Sequence, residues 1–168
     1  MAKTKLHENP INTNGELPKI GSIAPDFVLT AQDLSDHNLA EYRGKKILMN
    51  IYPSIDTGVC SLSVSTFNAK AAALENTIIL GISRDLPFAL GRFCAAEGID
   101  KVFTLSDLRS RDFGQKYGLE MVDGPMAGLL ARAVILIDEK GVVRYTQLVD
   151  EIVHEPDYEA AIAAVKAL

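Results

Sequence analysis

KILMNIYPSIDTGVC, residues 46 to 60, decides the architecture. Lys46 to Tyr52 is a short apolar run of the buried-strand type. Pro53 ends it, and SIDTGVC follows as a loop leading into a helix. From Cys60 onward Val64, Phe67, Ala71 and Leu74 recur at three- and four-residue spacing, which is one face of a helix. Asp56, Thr57 or Gly58 can each cap its start. Cys60 therefore falls in the first turn.

Further elements lie on both sides of this unit. Downstream, Thr77 to Ser83 is the next buried strand. Pro87 opens a second helix through Glu97, and Gly98 suits its stop. Val102 to Leu105 is a short strand, and Asp112 to Tyr117 a short helix stopped by Gly118. Ala133 to Ile137 and Val142 to Leu148 form a hairpin across Asp138 to Gly141. Pro156 and Asp157 open an Ala-rich terminal helix. Upstream, Asp26 to Thr30 reads as a strand, and Asp33 to Gly44 is turn-rich with a short strand near Leu39. Asn14-Gly15, between KTKLH and ELPKI, predicts a type I′ turn and an N-terminal hairpin over roughly residues 3–20. Strands and helices alternate, then two strands and a helix close the chain. This order calls for an α/β fold, a mixed central sheet flanked by helices, compatible with a thioredoxin-like domain.

The chain has 168 residues, enough for one domain with a real core, so a single domain over 1–168 is expected. Nearly half the residues are apolar (48%), which excludes a disordered chain. The net charge is -5 without basic clusters, which argues against nucleic-acid binding. No apolar run approaches the ~18 residues of a membrane span, and MAKTKLHENPINTNG lacks a signal-peptide core. A cytoplasmic protein is expected, in a compartment that keeps thiols reduced. No repeat, phosphate loop or metal-ligand spacing is present, so neither a metal nor a cofactor is expected. His7, His37 and His154 are far apart in sequence and read as solvent-exposed polar residues. Asp150-Glu151 and Glu155-Pro156-Asp157 read as solvated charge and helix-start chemistry.

Two cysteines remain, Cys60 and Cys94, and in a reducing compartment such a pair is either inert or redox-active. The surroundings of Cys60 favour chemistry. A helix N-terminus carries partial positive charge and unpaired N–H groups, which favour a thiolate. Thr57 lies three residues earlier, so its hydroxyl can point into the same pocket, and Pro53 can shield the sulfur from water.

These residues resemble the peroxiredoxin active-site pattern, a Pro, three residues, Thr, two residues and the reactive Cys, at Pro53, Thr57 and Cys60. PSIDTGVC, SRDLPFALGRFC, ARAVILID, TQLVDEI and EPDYEAA, in that order, are similar to bacterial thiol peroxidases, atypical two-cysteine peroxiredoxins. The resemblance spans nearly the whole chain. It implies that Cys60 is the peroxidatic cysteine and Cys94 the resolving one, joined as the disulfide Cys60–Cys94 after reaction, and that Arg132 is an active-site arginine. It also implies hydroperoxide substrates, thioredoxin as reductant and a homodimer. A guanidinium makes physical sense there, because it is charged at every relevant pH and offers a rigid fork of donors.

For a cysteine of ordinary pKa near ~8.5, several per cent is ionised at neutral pH. Full ionisation gains only about tenfold, or ~1.4 kcal/mol. Donors placed on the reacting oxygens must supply the rest, at up to ~3 kcal/mol each. Thr57, Arg132 and the backbone amides at the helix start are the expected donors. A disulfide needs Cα atoms within ~7 Å, and a cysteine late in a second helix is expected to start farther from Cys60. Local unwinding is then expected on oxidation.

Three other functions use the same cysteines. A thioredoxin-like disulfide oxidoreductase needs Cys-x-x-Cys, and here 33 residues separate the pair. A redox sensor or relay uses the same Cys60 chemistry and passes oxidation to a partner. A one-cysteine peroxidase leaves Cys94 structural.

Overall fold

The computed structural model describes residues 1–168. Strands β1 (Lys3–Leu6) and β2 (Asn9–Asn12) pair antiparallel, with Thr4 opposite Ile11. The hairpin exists, but its turn is His7-Glu8 and its strands end at Asn12. Those two residues have φ of 49° and 69°, as a type I′ turn demands, whereas neither Asn14 nor Gly15 has positive φ. Tertiary contacts overrule local preference. The Glu151 carboxylate accepts the amides of His7 and Glu8 at 2.9 and 3.0 Å and holds the turn. Asn14 is used elsewhere: it exchanges hydrogen bonds with the backbone of Glu120 and donates its side-chain amide to the Gln115 carbonyl.

Seven strands make the main sheet: β3 (Val28–Thr30), β4 (Asp36–Asn38), β5 (Lys46–Ile51), β6 (Thr77–Ser83), β7 (Val102–Ser106), β8 (Ala133–Ile137) and β9 (Val143–Leu148). Their order is β4-β3-β7-β6-β5-β8-β9. β5, β6 and β7 run parallel, and the remaining pairs are antiparallel, so the sheet is mixed. The short strand sought near Leu39 is β4, just before it. Leu39–Tyr42 is instead a tight helical turn, capped by Asn38 with Glu41 reciprocating.

Helices α1 (Gly58–Lys70), α2 (Pro87–Glu97), α3 (Asp112–Lys116) and α4 (Tyr158–Lys166) follow the sequence pattern. β5 sorts its side chains with period two. Leu48 joins a core with Val64 and Phe67 of α1, Leu90 of α2 and Val165 of α4. Ile47, Met49 and Ile51 join the opposite core, which holds Phe113, Tyr117 and Ile11 of the hairpin. Phe67 and Tyr158 meet edge-on at 5.1 Å, locking α4 over α1, a contact worth about 0.5–1.5 kcal/mol beyond its buried area. Gly118 stops α3 with φ of 67°, and a Cβ there would strike the Glu16 backbone.

Candidate active site

Cys60 sits in the first turn of α1 and is fully buried. Ser63 braces that turn by donating to the Cys60 carbonyl and accepting from buried Asn50 on β5. Thr57 is the N-cap residue in extended conformation, yet its side chain makes no cap bond. Its hydroxyl points to the Cys60 Sγ at 2.7 Å, with the Ser54 carbonyl at 3.1 Å as its alternative acceptor. Exposed Thr57 and buried Pro53 thus frame one mouth.

Arg132 comes from 72 residues away and places Nη2 3.3 Å from the same sulfur. Sheet register explains the meeting. Ile51, the last residue of β5, pairs with Ala133, the first of β8, so Arg132 stands beside the start of the Pro53 loop. Its Nε donates to the Ile152 carbonyl at 2.8 Å. The residue is only 2% exposed, and its Nη1 has no protein partner, so the site holds a desolvated charge with a spare donor. Above it opens a pocket of about 370 Å³, lined by Pro53, Thr57, Arg132, Leu6, Met126 and Ile152 among others. Two donors on one sulfur beneath an apolar mouth suit stabilisation of negative charge on that sulfur and on an oxygen brought to it.

Asp85 fixes the loop. Its carboxylate accepts Ser54 Oγ at 2.9 Å and the Ile55 amide at 2.8 Å, while Ser83 Oγ sits on the same group. The residue follows β6 at the end of the parallel strands, where β5 also delivers its loop.

Cys94 is not part of this cluster. It lies in the later half of α2, 7% exposed, with Sγ 3.8 Å from Thr104 Oγ1. Thr104 in turn accepts from Gln32 Nε2 at 2.7 Å. Burial pushes the Cys94 thiol up, against the pull of Thr104 and Gln32. Both cysteines are free thiols. Tyr52, wholly buried, packs in the same core as Cys60 and Leu90, one turn before Cys94. Burial, then the charge of Asp85, raise its phenol well above the usual range.

Residues 19–162 match the Redoxin family model. The chain belongs to the redoxin family. Within it, the chain stands with the thiol peroxidases. It is 53% identical to the thiol peroxidase of Corynebacterium glutamicum over 98% of this chain and 99% of the relative. It is also 53% identical to that of Mycobacterium tuberculosis, over 99% and 100%. A solved peroxiredoxin-like protein from Aquifex aeolicus superposes with a TM-score of 0.94 at 37% identity, covering 99% of this chain and 97% of that one.

In this redoxin the fold brings Pro53, Thr57, Cys60 and Arg132 together and leaves Cys94 apart. Glu151 departs from its expected place as solvated charge: it is 6% exposed and bound to two backbone amides, while Asp150 does face solvent. His7 and His154 are exposed, but His37 is half-buried between Ser35 and Glu41. Asp85, Glu151 and Ile152 escape a sequence reading. A carboxylate two residues after a buried strand is the one signal for Asp85. Nothing local marks Ile152, which acts through its backbone oxygen.

Proposed function

We propose that the chain reduces hydroperoxides through Cys60 and is recycled through Cys94. The Cys60 thiolate attacks one peroxide oxygen, and the O–O bond breaks. Sulfur keeps that oxygen as a sulfenic acid, and the leaving oxygen takes up a proton as water or an alcohol. The Cys94 thiol, once deprotonated, then attacks the Cys60 sulfur. An S–S bond forms and water leaves. A thioredoxin-type dithiol returns the disulfide to two thiols. This reductant, a homodimeric assembly and a cytoplasmic setting belong to the same proposal and rest on the family relationship.

The observation that carries the reading is the sulfur itself, fully buried yet held by two side-chain donors, Thr57 at 2.7 Å and Arg132 at 3.3 Å, under one pocket. An inert core cysteine has no use for a buried guanidinium. Thr57→Val keeps the side-chain shape and removes one donor. Peroxide reduction is expected to slow by about 10²-fold, the scale of one lost preorganised donor. Because Thr57 makes no cap bond, the urea midpoint is expected to stay nearly unchanged. An equal loss in rate and stability counts against its assignment.

Recycling is expected to need movement. Cys94 lies within α2 with its sulfur against Thr104, and it is expected to leave that place to reach Cys60. Closing the 35-residue loop is worth about 4 kcal/mol of chain entropy, which offsets only a modest local unfolding. Faster amide exchange around Cys94 in the oxidised form is the expected sign.

The same packing of Cys94 on Thr104 supports a second reading, in which Cys94 is structural and an outside thiol resolves Cys60. Peroxide-dependent NADPH consumption with thioredoxin and its reductase decides. Wild type is expected to turn over continuously. Cys94→Ser is expected to consume one equivalent of peroxide per chain at the wild-type rate and then stall with a trappable sulfenic acid. Undiminished turnover by that variant establishes the one-cysteine reading, and no turnover by wild type removes both.

A further inference from the structure

The guanidinium of Arg132 has two hydrogen-bond partners in the protein, the Cys60 sulfur and the Ile152 carbonyl. Whatever fixes Ile152 therefore aims the charge. The Ile152 amide donates to the Lys5 carbonyl of β1 at 2.9 Å, and Thr4 Oγ1 donates to the Val149 carbonyl at 2.8 Å. The segment that presents the Ile152 oxygen is thus bound along one side to the N-terminal hairpin.

The hairpin needs help to keep its shape. His7 and Glu8 both occupy the left-handed region, which residues with a Cβ adopt at a cost. Their two amides converge on the Glu151 carboxylate, making a small nest of backbone donors around a buried anion. A buried carboxylate is itself costly unless fully paired. Asn-Gly would have made this turn unaided, so the carboxylate is an expensive way merely to close a hairpin. What it adds is a link, because Glu151 is the neighbour of Ile152.

We propose that Glu151 is a positioning residue for Arg132: by clamping the His7–Glu8 turn it fixes the Ile152 carbonyl and so holds the guanidinium on the Cys60 sulfur. The N-terminal hairpin is then part of the reaction machinery. The inference rests on the assignment of Cys60 as the attacking group.

The test is the second-order rate constant for Cys60 oxidation by hydrogen peroxide in single turnover, followed by quenching and mass measurement. Glu151→Gln places an NH₂ donor against a backbone donor and opens one side of the clamp. It is expected to slow oxidation by about tenfold. Arg132→Lys loses the fork and is expected to slow it by about 100-fold. The double variant is expected to lie within about twofold of Arg132→Lys alone, because residues acting through one another are not additive. A purely structural role predicts the same tenfold loss in both backgrounds, and that result overturns the proposal. Adding H7N/E8G to Glu151→Gln supplies a turn that needs no clamp and is expected to restore the rate to within about threefold; no recovery also overturns it. If Glu151→Gln does not fold, Glu151→Asp, with a shorter reach, must show the same non-additivity. A Glu151→Gln protein that oxidises at the wild-type rate while Cys60→Ser is dead removes this inference alone. A Cys60→Ser protein that still reduces peroxide removes the function beneath it.

Discussion

Cys60→Ser is expected to abolish peroxide turnover, with a loss of about 10⁴-fold or more, the scale of removing a catalytic nucleophile. The reason is chemical rather than structural. A serine oxygen stays protonated at neutral pH and is a poor nucleophile toward an O–O bond. It is also nearly the size of the thiol it replaces. Cys60 is fully buried, and Thr57 and Arg132 remain in place to bond the new hydroxyl, so the fold is expected to survive. Cys94 is not expected to substitute, because its sulfur rests on Thr104 rather than on the Thr57 and Arg132 donors, and burial pushes its thiol up. The coupled NADPH assay checks this, with unchanged circular dichroism as the control for folding. Turnover above about one per cent of wild type would place the reaction elsewhere, since a lost nucleophile leaves far less.

Arg132→Met separates the same two contributions from the other side. The substitution keeps a long flexible side chain and removes charge and all donors. The rate of Cys60 oxidation is expected to fall by about 10³-fold. One donor bonds the sulfur at 3.3 Å, and Nη1, buried without a protein partner, is the donor expected to meet an incoming peroxide oxygen. Stability is expected to move the other way or not at all. A guanidinium that is 2% exposed carries a desolvation cost, and replacing it with an apolar side chain relieves that cost. The one structural bond lost is Nε to the Ile152 carbonyl. A urea midpoint equal to or above wild type, together with the slow rate, is the expected pair. A fall of less than about tenfold would mean that the guanidinium does not act on the reacting atoms. The effect is also expected to resist added salt, because buried charges are screened far less than exposed ones.

The elements near Cys60 were legible because their signals are local. β5 is an unbroken apolar run, and α1 repeats Val64 and Phe67 on one face. Pro53, Thr57 and Cys60 lie within eight residues, so the strand-to-helix junction alone brings them together. The hairpin shows where local signals fail. Asn14-Gly15 has the better turn composition, but a carboxylate 144 residues from His7 stabilises the other turn. Two hydrogen bonds from the His7 and Glu8 amides to the Glu151 carboxylate outweigh the modest backbone cost of two left-handed residues. Glu151 reads as surface charge for the same reason: in sequence it stands beside Asp150, and the amides that bind it lie 144 and 143 residues away.

By itself, the sequence determined the order of strands and helices, the mixed sheet they demand, and a cysteine set at a helix start beside Thr57. Those features follow from side-chain period and turn chemistry, which act over a few residues. Tertiary structure alone decided that Arg132 meets the Cys60 sulfur, that the Ile152 oxygen aims it, and that Cys94 rests against Thr104. Each depends on strand register or on contacts between distant segments. A slip of one residue in the β5–β8 pairing would turn the side chains at its edge to the other face, and no local pattern encodes that choice.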